Sequence, residues 1–232
     1  MNQNNERAIS LNEKIIVVTG ASRGLGRAVA IEFTARGAHV LGVGRDESAL
    51  LETAHLAGAG FTAGTLDVRD EAAVTEYFAA LPSLDVLINN AGIARIRPLL
   101  ETSVEEMREM LEINVVAAFV VLREGARKMA QSGGGHIINI ASDAATRGIE
   151  GMAPYVASKH ALLGLSRSAH LELKRSRVRV SALCPGPIQT DILGTGTLPS
   201  GAIAPSALAK LIADLAETPP GLATPEILSL PA

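Results

Sequence analysis

Tyr155 and Lys159 stand four residues apart, which on a helix makes them neighbours on one face. A phenol has a pKa of about 10 and is protonated at neutral pH. A nearby ammonium favours the phenolate and lowers that value. A tyrosine so placed can give a proton to a carbonyl oxygen or take one from a hydroxyl. Taken alone, Y-x-x-x-K reads as a tyrosine packed on a lysine stem. Ser142 lies thirteen residues before Tyr155, directly after the apolar run HIINIA at 136–141. Its hydroxyl is suited to holding the reacting oxygen, and equally to capping a turn. Asn114 interrupts the apolar stretch Leu111–Leu122. Asparagine is disfavoured inside a helix and needs partners if buried, so it reads first as a satisfied structural amide.

A second group of residues is suited to a nucleotide. Thr19-Gly20-Ala21-Ser22-Arg23-Gly24-Leu25-Gly26 sits between an apolar run and a helical pattern. Glycine lets the chain turn sharply and lets a diphosphate approach without a Cβ in the way. The helix that follows offers free N–H groups and a positive dipole end. The spacing departs from G-x-G-x-x-G, with three residues between the first two glycines and one between the last two. Dinucleotide folds that use NAD place an acid about 20 residues past such a turn to bind the ribose hydroxyl. Here Gly44 stands at that place, followed by Arg45, with Arg23 in the turn itself. Arginine pairs well with phosphate, which favours NADP over NAD. Asp46 would serve NAD if the preceding strand ran longer, and is otherwise a helix N-cap.

The elements that must position these residues follow one rhythm. Strands are expected at Ile15–Thr19, Ala38–Gly44, Gly60–Asp67, Leu84–Asn89, His136–Ala141, Val178–Leu183 and Glu226–Leu230. Helices are expected at about Leu25–Arg36, Asp46–Ala57, Asp70–Ala80, Ser103–Gln131, Pro154–Ser176 and Pro205–Glu217. Apolar strands separated by helices mean a mainly parallel sheet covered on both faces. The expected fold is therefore α/β, a doubly wound, Rossmann-like domain with seven strands. The long Pro/Gly-rich stretch from Pro185 to Pro205 reads as a functional loop inside that domain.

Composition agrees with one such unit. The 232 residues carry 21 Lys plus Arg against 24 Asp plus Glu, a net charge of −3. That balance argues against nucleic acid or an anionic membrane as partner. The longest apolar run, Val115–Leu122, is too short for a spanning helix, which needs about 20 residues. One cysteine, Cys184, excludes an intrachain disulfide and suits a reducing compartment. With the polar start MNQNNERAISLNEK, the protein is expected in the cytoplasm, with residues 1–13 expected as a flexible lead-in. The five histidines have no ligand spacing, so no metal site is expected.

The chain resembles the short-chain dehydrogenase/reductase family, in its shorter, single-domain form. The matching residues are TGASRGLG at 19–26, Asp67, NNAG at 89–92, Asn114, Ser142, YVASK at 155–159 and PGPIQT at 185–190, in the family's order and spacing. The resemblance implies that Tyr155 is the general acid in reduction and base in oxidation. Lys159 would lower its pKa and hold the nicotinamide ribose. Ser142 would orient the substrate carbonyl, and Asn114 would hold a water linking Lys159 to solvent. Gly20, Ser22, Arg23, Gly24, Leu25, Gly26 and Arg45 would meet the cofactor's phosphates. Asp67 and Val68 would meet the adenine, and Asn90, Ala91 and Gly92 the adenosine and ribose side. Pro185, Gly186, Ile188 and Thr190 would hold the carboxamide and phosphate end.

The expected activity is an NADP(H)-dependent exchange between a carbonyl compound and a secondary alcohol. A non-catalytic dinucleotide-binding scaffold or sensor, and an epimerase or dehydratase on the same fold, are the alternatives. The substrate should meet the segments Ile93–Arg97, Asp143–Met152 and Gly186–Thr197, a mostly apolar wall with Arg95, Arg97 and Arg147 either at its rim or recognising an anion. A compact lid at Leu193–Ala204 suits a small or medium-sized ketone. Helices at 103–131 and 154–176 carry small and apolar residues on more than one face, and the resemblance implies pairing through them as a homodimer or homotetramer. The tail ATPEILSLPA departs from the family's usual ending.

Overall fold

The computed structural model describes residues 9–190, 192, 201–219 and 227–230. Seven strands form one sheet in the order β3-β2-β1-β4-β5-β6-β7. They are β1 (Ile15–Thr19), β2 (His39–Gly44), β3 (Phe61–Thr65), β4 (Val86–Asn89), β5 (Gly135–Ile140), β6 (Val178–Pro185) and β7 (Ile227–Leu230). Every pairing is parallel, so the sheet is wholly rather than mainly parallel.

Alternation along the strands covers both faces. On β1, Ile16 and Val18 pack with Val29 and Phe33 of α1 (Gly24–Ala35) and with Leu208 and Ile212 of α7 (Pro205–Ala216). Val17 points the other way, among Phe78 of α3 (Glu71–Ala80) and Val121 and Met129 of α5 (Ala118–Gln131). Successive strand side chains face opposite sides, so an apolar run needs helices on both. A third cluster joins Leu162 and Leu163 of α6 (Ala153–Leu173) to Ala182 and Cys184 of β6.

Local chemistry sets the helix ends. Asp46 caps α2 (Glu47–Ala57) by accepting from Ala49 N–H, and Asp70 caps α3 by accepting from Ala73 N–H. Ser103 and Glu106 form a reciprocal capping box at the start of α4 (Val104–Leu111). Gly133 and Gly134 carry φ of +95° and +120° after α5, where a side chain would be strained.

The expected single helix from Ser103 to Gln131 is interrupted. Between α4 and α5, residues Glu112–Ala117 form a π-helical turn that contains Asn114. Such wide turns are rare and recur at functional sites. The described end of the lead-in expected over 1–13 is packed onto the domain. Leu11 is buried at 1% exposure in the core, and Ile9 N–H donates to Glu217 O at 2.8 Å. No helix among the described residues is long and apolar enough to cross a membrane.

Candidate active site

The strand order turns back at β1 and β4, and parallel sheets bind ligands outside the carboxyl ends of strands at such a point. A cavity of about 810 Å³ opens there. Its walls include every cofactor-contact residue expected from the sequence, together with Ser142, Tyr155 and Lys159. Asn114 is the exception and does not line it.

At one end the glycine turn is held open by its neighbours. Arg27 donates to Ser22 O through Nη2 at 2.7 Å, and the buried Thr53 hydroxyl donates to Ala21 O at 3.0 Å. Thr19 Oγ1 accepts from the N–H of Asn90 and of Ala91, at 2.9 and 3.0 Å, which pins the NNAG turn against it. A Cβ on Gly26 would lie 2.1 Å from Gly20 O, so only glycine fits. Unlike α2, α3 and α4, helix α1 has no side-chain cap and no acid in its first turn. Its first N–H groups therefore face the cavity without a built-in acceptor, which fits the diphosphate of a dinucleotide.

Beyond the turn, Arg23, Gly44, Arg45 and Arg69 line the same end. Asp46 is the α2 cap and also accepts from the Ser48 hydroxyl, so it stands outside this wall. A Cβ on Gly44 would come no nearer than 3.6 Å to any neighbour. Asp67 turns its carboxylate onto Arg69, whose Nε donates at 3.0 Å and Nη2 at 2.5 Å. Arg69 holds the Asp67 carboxyl below the usual carboxylate range, and Arg45 adds to this. Sequence reasoning passed over Arg69, because the D-x-R spacing of Asp67 and Arg69 around a turn carries no signal of its own.

At the other end, α6 presents Tyr155 and Lys159 beside Ser142. Ser142 is the N-cap of the short turn Asp143–Ala145, its Oγ accepting from Ala144 N–H at 3.2 Å, so it caps and lines the cavity at once. Lys159 Nζ lies 5.5 Å from the Tyr155 ring centroid and donates to Ile140 O at 2.9 Å. Burial lowers Lys159 to about 8. Burial also pushes the Tyr155 phenol up to about 12, a hydrogen bond with the Ser142 side chain works against it, and the Asp143 carboxylate adds to the rise. The shift runs opposite to the expectation that the lysine lowers the phenol's pKa, with burial as its largest cause.

The side chain of Asn114, the residue expected to hold a water, is bonded to protein partners. Its Nδ2 donates to Ile93 O at 2.8 Å and to Ser158 Oγ at 3.1 Å, and its Oδ1 accepts from Ile93 N–H at 2.9 Å. Both amide protons are committed, and the side chain fastens the loop after β4 to α6. Two arginines of the expected substrate wall also turn away. Arg95 pairs with Glu109 at 2.6 Å and Arg97 with Glu106 at 2.8 Å, both on α4, and neither lines the cavity. Arg147 does line it, paired with Asp143. Most of the lid expected at Leu193–Ala204 lies outside the described residues. Ile203, within them, pairs with Ile188. The described residues hold no cluster able to bind a metal ion.

A sequence model of the short chain dehydrogenase family matches residues 14–197. The chain belongs to the short-chain dehydrogenase/reductase family. It is 36% identical over 183 residues to the 3-oxoacyl-(acyl-carrier-protein) reductase of Escherichia coli, covering 77% of this chain and 75% of that protein. It is 35% identical over 189 residues to a 3beta-hydroxysteroid dehydrogenase of Mediterraneibacter gnavus, covering 78% and 68%. Among solved structures, a 3-ketoacyl-(acyl-carrier-protein) reductase from Brucella melitensis in complex with NADH superposes with a TM-score of 0.86 at 27% identity, covering 95% of this chain and 98% of that one. A provisionally assigned NAD(P)-dependent gluconate 5-dehydrogenase from Beutenbergia cavernae, solved with NADP at low occupancy, gives 0.84 at 32%, covering 95% and 96%. This dehydrogenase/reductase is an oxidoreductase, and the seven-stranded Rossmann-like sheet is the one these relatives share.

Proposed function

We propose that the enzyme interconverts a carbonyl compound and a secondary alcohol with NADP(H), using Tyr155 as general acid in reduction and general base in oxidation. What supports this reading is that Tyr155, Ser142 and Lys159 line one cavity with the uncapped, glycine-turned end of α1. A bound nicotinamide supplies or accepts the hydride. Tyr155 gives its proton to the carbonyl oxygen, Ser142 holds that oxygen, and Lys159 holds the ribose hydroxyls with its buried ammonium. Position and a proton are the protein's share of such chemistry. Asn114 keeps the Ile93 loop in place. Tyr155→Phe should lower turnover by roughly 10²–10⁴-fold and leave cofactor affinity near normal. Lys159→Ala should harm both. Near-normal activity of Tyr155→Phe on a true substrate overturns the assignment.

The preference for NADP rests on charge. No carboxylate stands at Gly44, Asp46 is committed to its cap, and Arg23 and Arg45 remain for a ribose phosphate, with Arg69 beside them. The NADP in the Beutenbergia relative is in line with this, and the NADH in the Brucella relative is the competing case. The substrate end is walled by Ile93, Ile96, Ile149, Met152 and Ile192, which suits a small or medium-sized ketone. The enzyme works as a homodimer or homotetramer in the cytoplasm.

A further inference from the structure

Ser158 is a buried polar residue beside the active site that the proposed function leaves unused. It stands on α6, three residues after Tyr155, at 0% exposure, and does not line the cavity. Its hydroxyl donates to Tyr155 O at 2.7 Å and accepts from Asn114 Nδ2 at 3.1 Å. A serine hydroxyl has one proton to give and lone pairs to receive, so both of its capacities are in use. The same Asn114 amide holds Ile93 at its N–H and at its carbonyl. Ile93 lines the cavity and directly follows the NNAG turn that Thr19 pins beside the glycine turn. A line of hydrogen bonds thus runs from the glycine-turn side of the cavity, through the π-helical turn, to the main chain of Tyr155.

The first turn of α6 needs a hold from outside the helix. Met152 at its N-cap makes no side-chain hydrogen bond, and Gly151 before it has a φ of +70°. Helix ends fray unless something fixes them. We propose that Ser158 is a positioning residue, which fastens the main chain of Tyr155 to Asn114 and so sets the acid/base group against the loop of Ile93. The inference rests on Tyr155 having that role in the proposed function. No water reaches Ser158 to replace either bond, so an alanine there leaves both partners unmatched. A reacting group misplaced by about 1 Å can cost about 10²-fold in rate. The same helix carries a matched control about two turns further on. Ser166, 1% exposed, accepts from Asn139 Nδ2 at 2.9 Å and donates to Leu162 O at 2.7 Å. It has the same chemistry and burial, away from Tyr155.

Amide hydrogen exchange over residues 153–159 of the full chain tests the link without any substrate. Ser158→Ala should speed exchange there, while Ser166→Ala should leave that segment at the parent rate despite a comparable loss of stability in urea. Asn114→Ala should also speed it, and should add nothing once residue 158 is alanine, because both changes cut one line. Turnover is read with NADPH and ethyl acetoacetate as the probe ketone. Ser158→Ala should lower kcat by about tenfold or more with KM for NADPH nearly unchanged, and Ser166→Ala should keep kcat near normal. Ser158→Cys, which keeps the size and a weak donor, should recover part of the loss. The proposal is overturned by parent-like exchange in Ser158→Ala, by an equal rise in Ser166→Ala, or by additive effects of the Asn114 and Ser158 changes. Exchange decides it whether or not this ketone is turned over. The catalytic reading fails separately, on near-normal turnover of Tyr155→Phe with a true substrate, which leaves the exchange result standing.

Discussion

The proposed preference for NADP turns on Gly44, where an acid would serve NAD. Its missing side chain leaves room beside Ser22 and Leu50, and the arginines of the adjacent wall have no fixed carboxylate at that point. Gly44→Asp should fit without displacing its neighbours and should place a charge where a 2′-phosphate would otherwise go. Cofactor titration of this variant should show NADP binding weakened by about tenfold or more and NAD binding retained or improved. Arg45→Ala should weaken NADP selectively, by a charge-assisted hydrogen bond worth about 1.5–3 kcal/mol. Tighter binding of NAD than NADP by the unmodified enzyme overturns the assignment of these residues to a phosphate.

At the scale of elements, a buried polar chain ties the strands to the helices behind the active site. Asn89 Nδ2 on β4 donates to Ala118 O and to Asn139 Oδ1, both at 2.9 Å. Asn139 Nδ2 on β5 donates to Ser166 Oγ on α6 at 2.9 Å. Asn139 is fully buried, so Asn139→Ala strands two partners without water to replace the lost bonds. Urea melts should show a loss of about 1–3 kcal/mol for this variant. Asn114→Ala should act closer to the site, freeing the backbone of Ile93. We expect a similar loss of stability and a weaker hold on cofactor, measured by titration. A stability equal to the unmodified protein for Asn139→Ala would show that the chain of amides adds nothing to the fold.

On the scale of the whole molecule, the π-helical turn and α5 present apolar surface outward. Val116 of the π-helical turn and Phe119 of α5 are 47% and 40% exposed. Light scattering at micromolar concentration should give a mass of two or four chains rather than 24.1 kDa. Phe119→Glu should shift that mass downward. A second global property is acid sensitivity. His136 is 1% exposed at the start of β5, its Nε2 meets Ser181 Oγ at 3.1 Å, and its Nδ1 has no partner among the described residues. Burial, reinforced by Arg179, holds its pKa well below the ordinary value. The unfolded chain takes up a proton near pH 6.5 and the folded one resists it, so stability falls as pH drops below about 6.5. Chemical denaturation from pH 8 to pH 5 should show this decline, and His136→Asn should flatten it. A midpoint that is level over that range removes His136 as a cause.

Much of this molecule was legible in the residues alone. Runs such as IIVVT and HIINIA are apolar at every position, and a strand buried on both faces needs no partner's identity to declare itself. Caps are local too, so Asp46, Asp70 and Ser103 mark their helices from the sequence. Tyr155, Lys159, Ser142 and the glycine turn stood out by type and spacing, and the fold brings them to one cavity. Other features depended on contacts between distant segments. The π-helical turn at 112–117 carries Asn114, whose side chain bonds to the distant Ile93 and Ser158. Arg95 and Arg97 looked equivalent to Arg147, but carboxylates of α4 take the first two away. Sequence carries the period and the local hydrogen bond, because both are set within a few residues. Which side chain faces a cavity, and how far burial moves a proton from its usual pKa, depends on what other elements pack around it, and only the tertiary structure decides that.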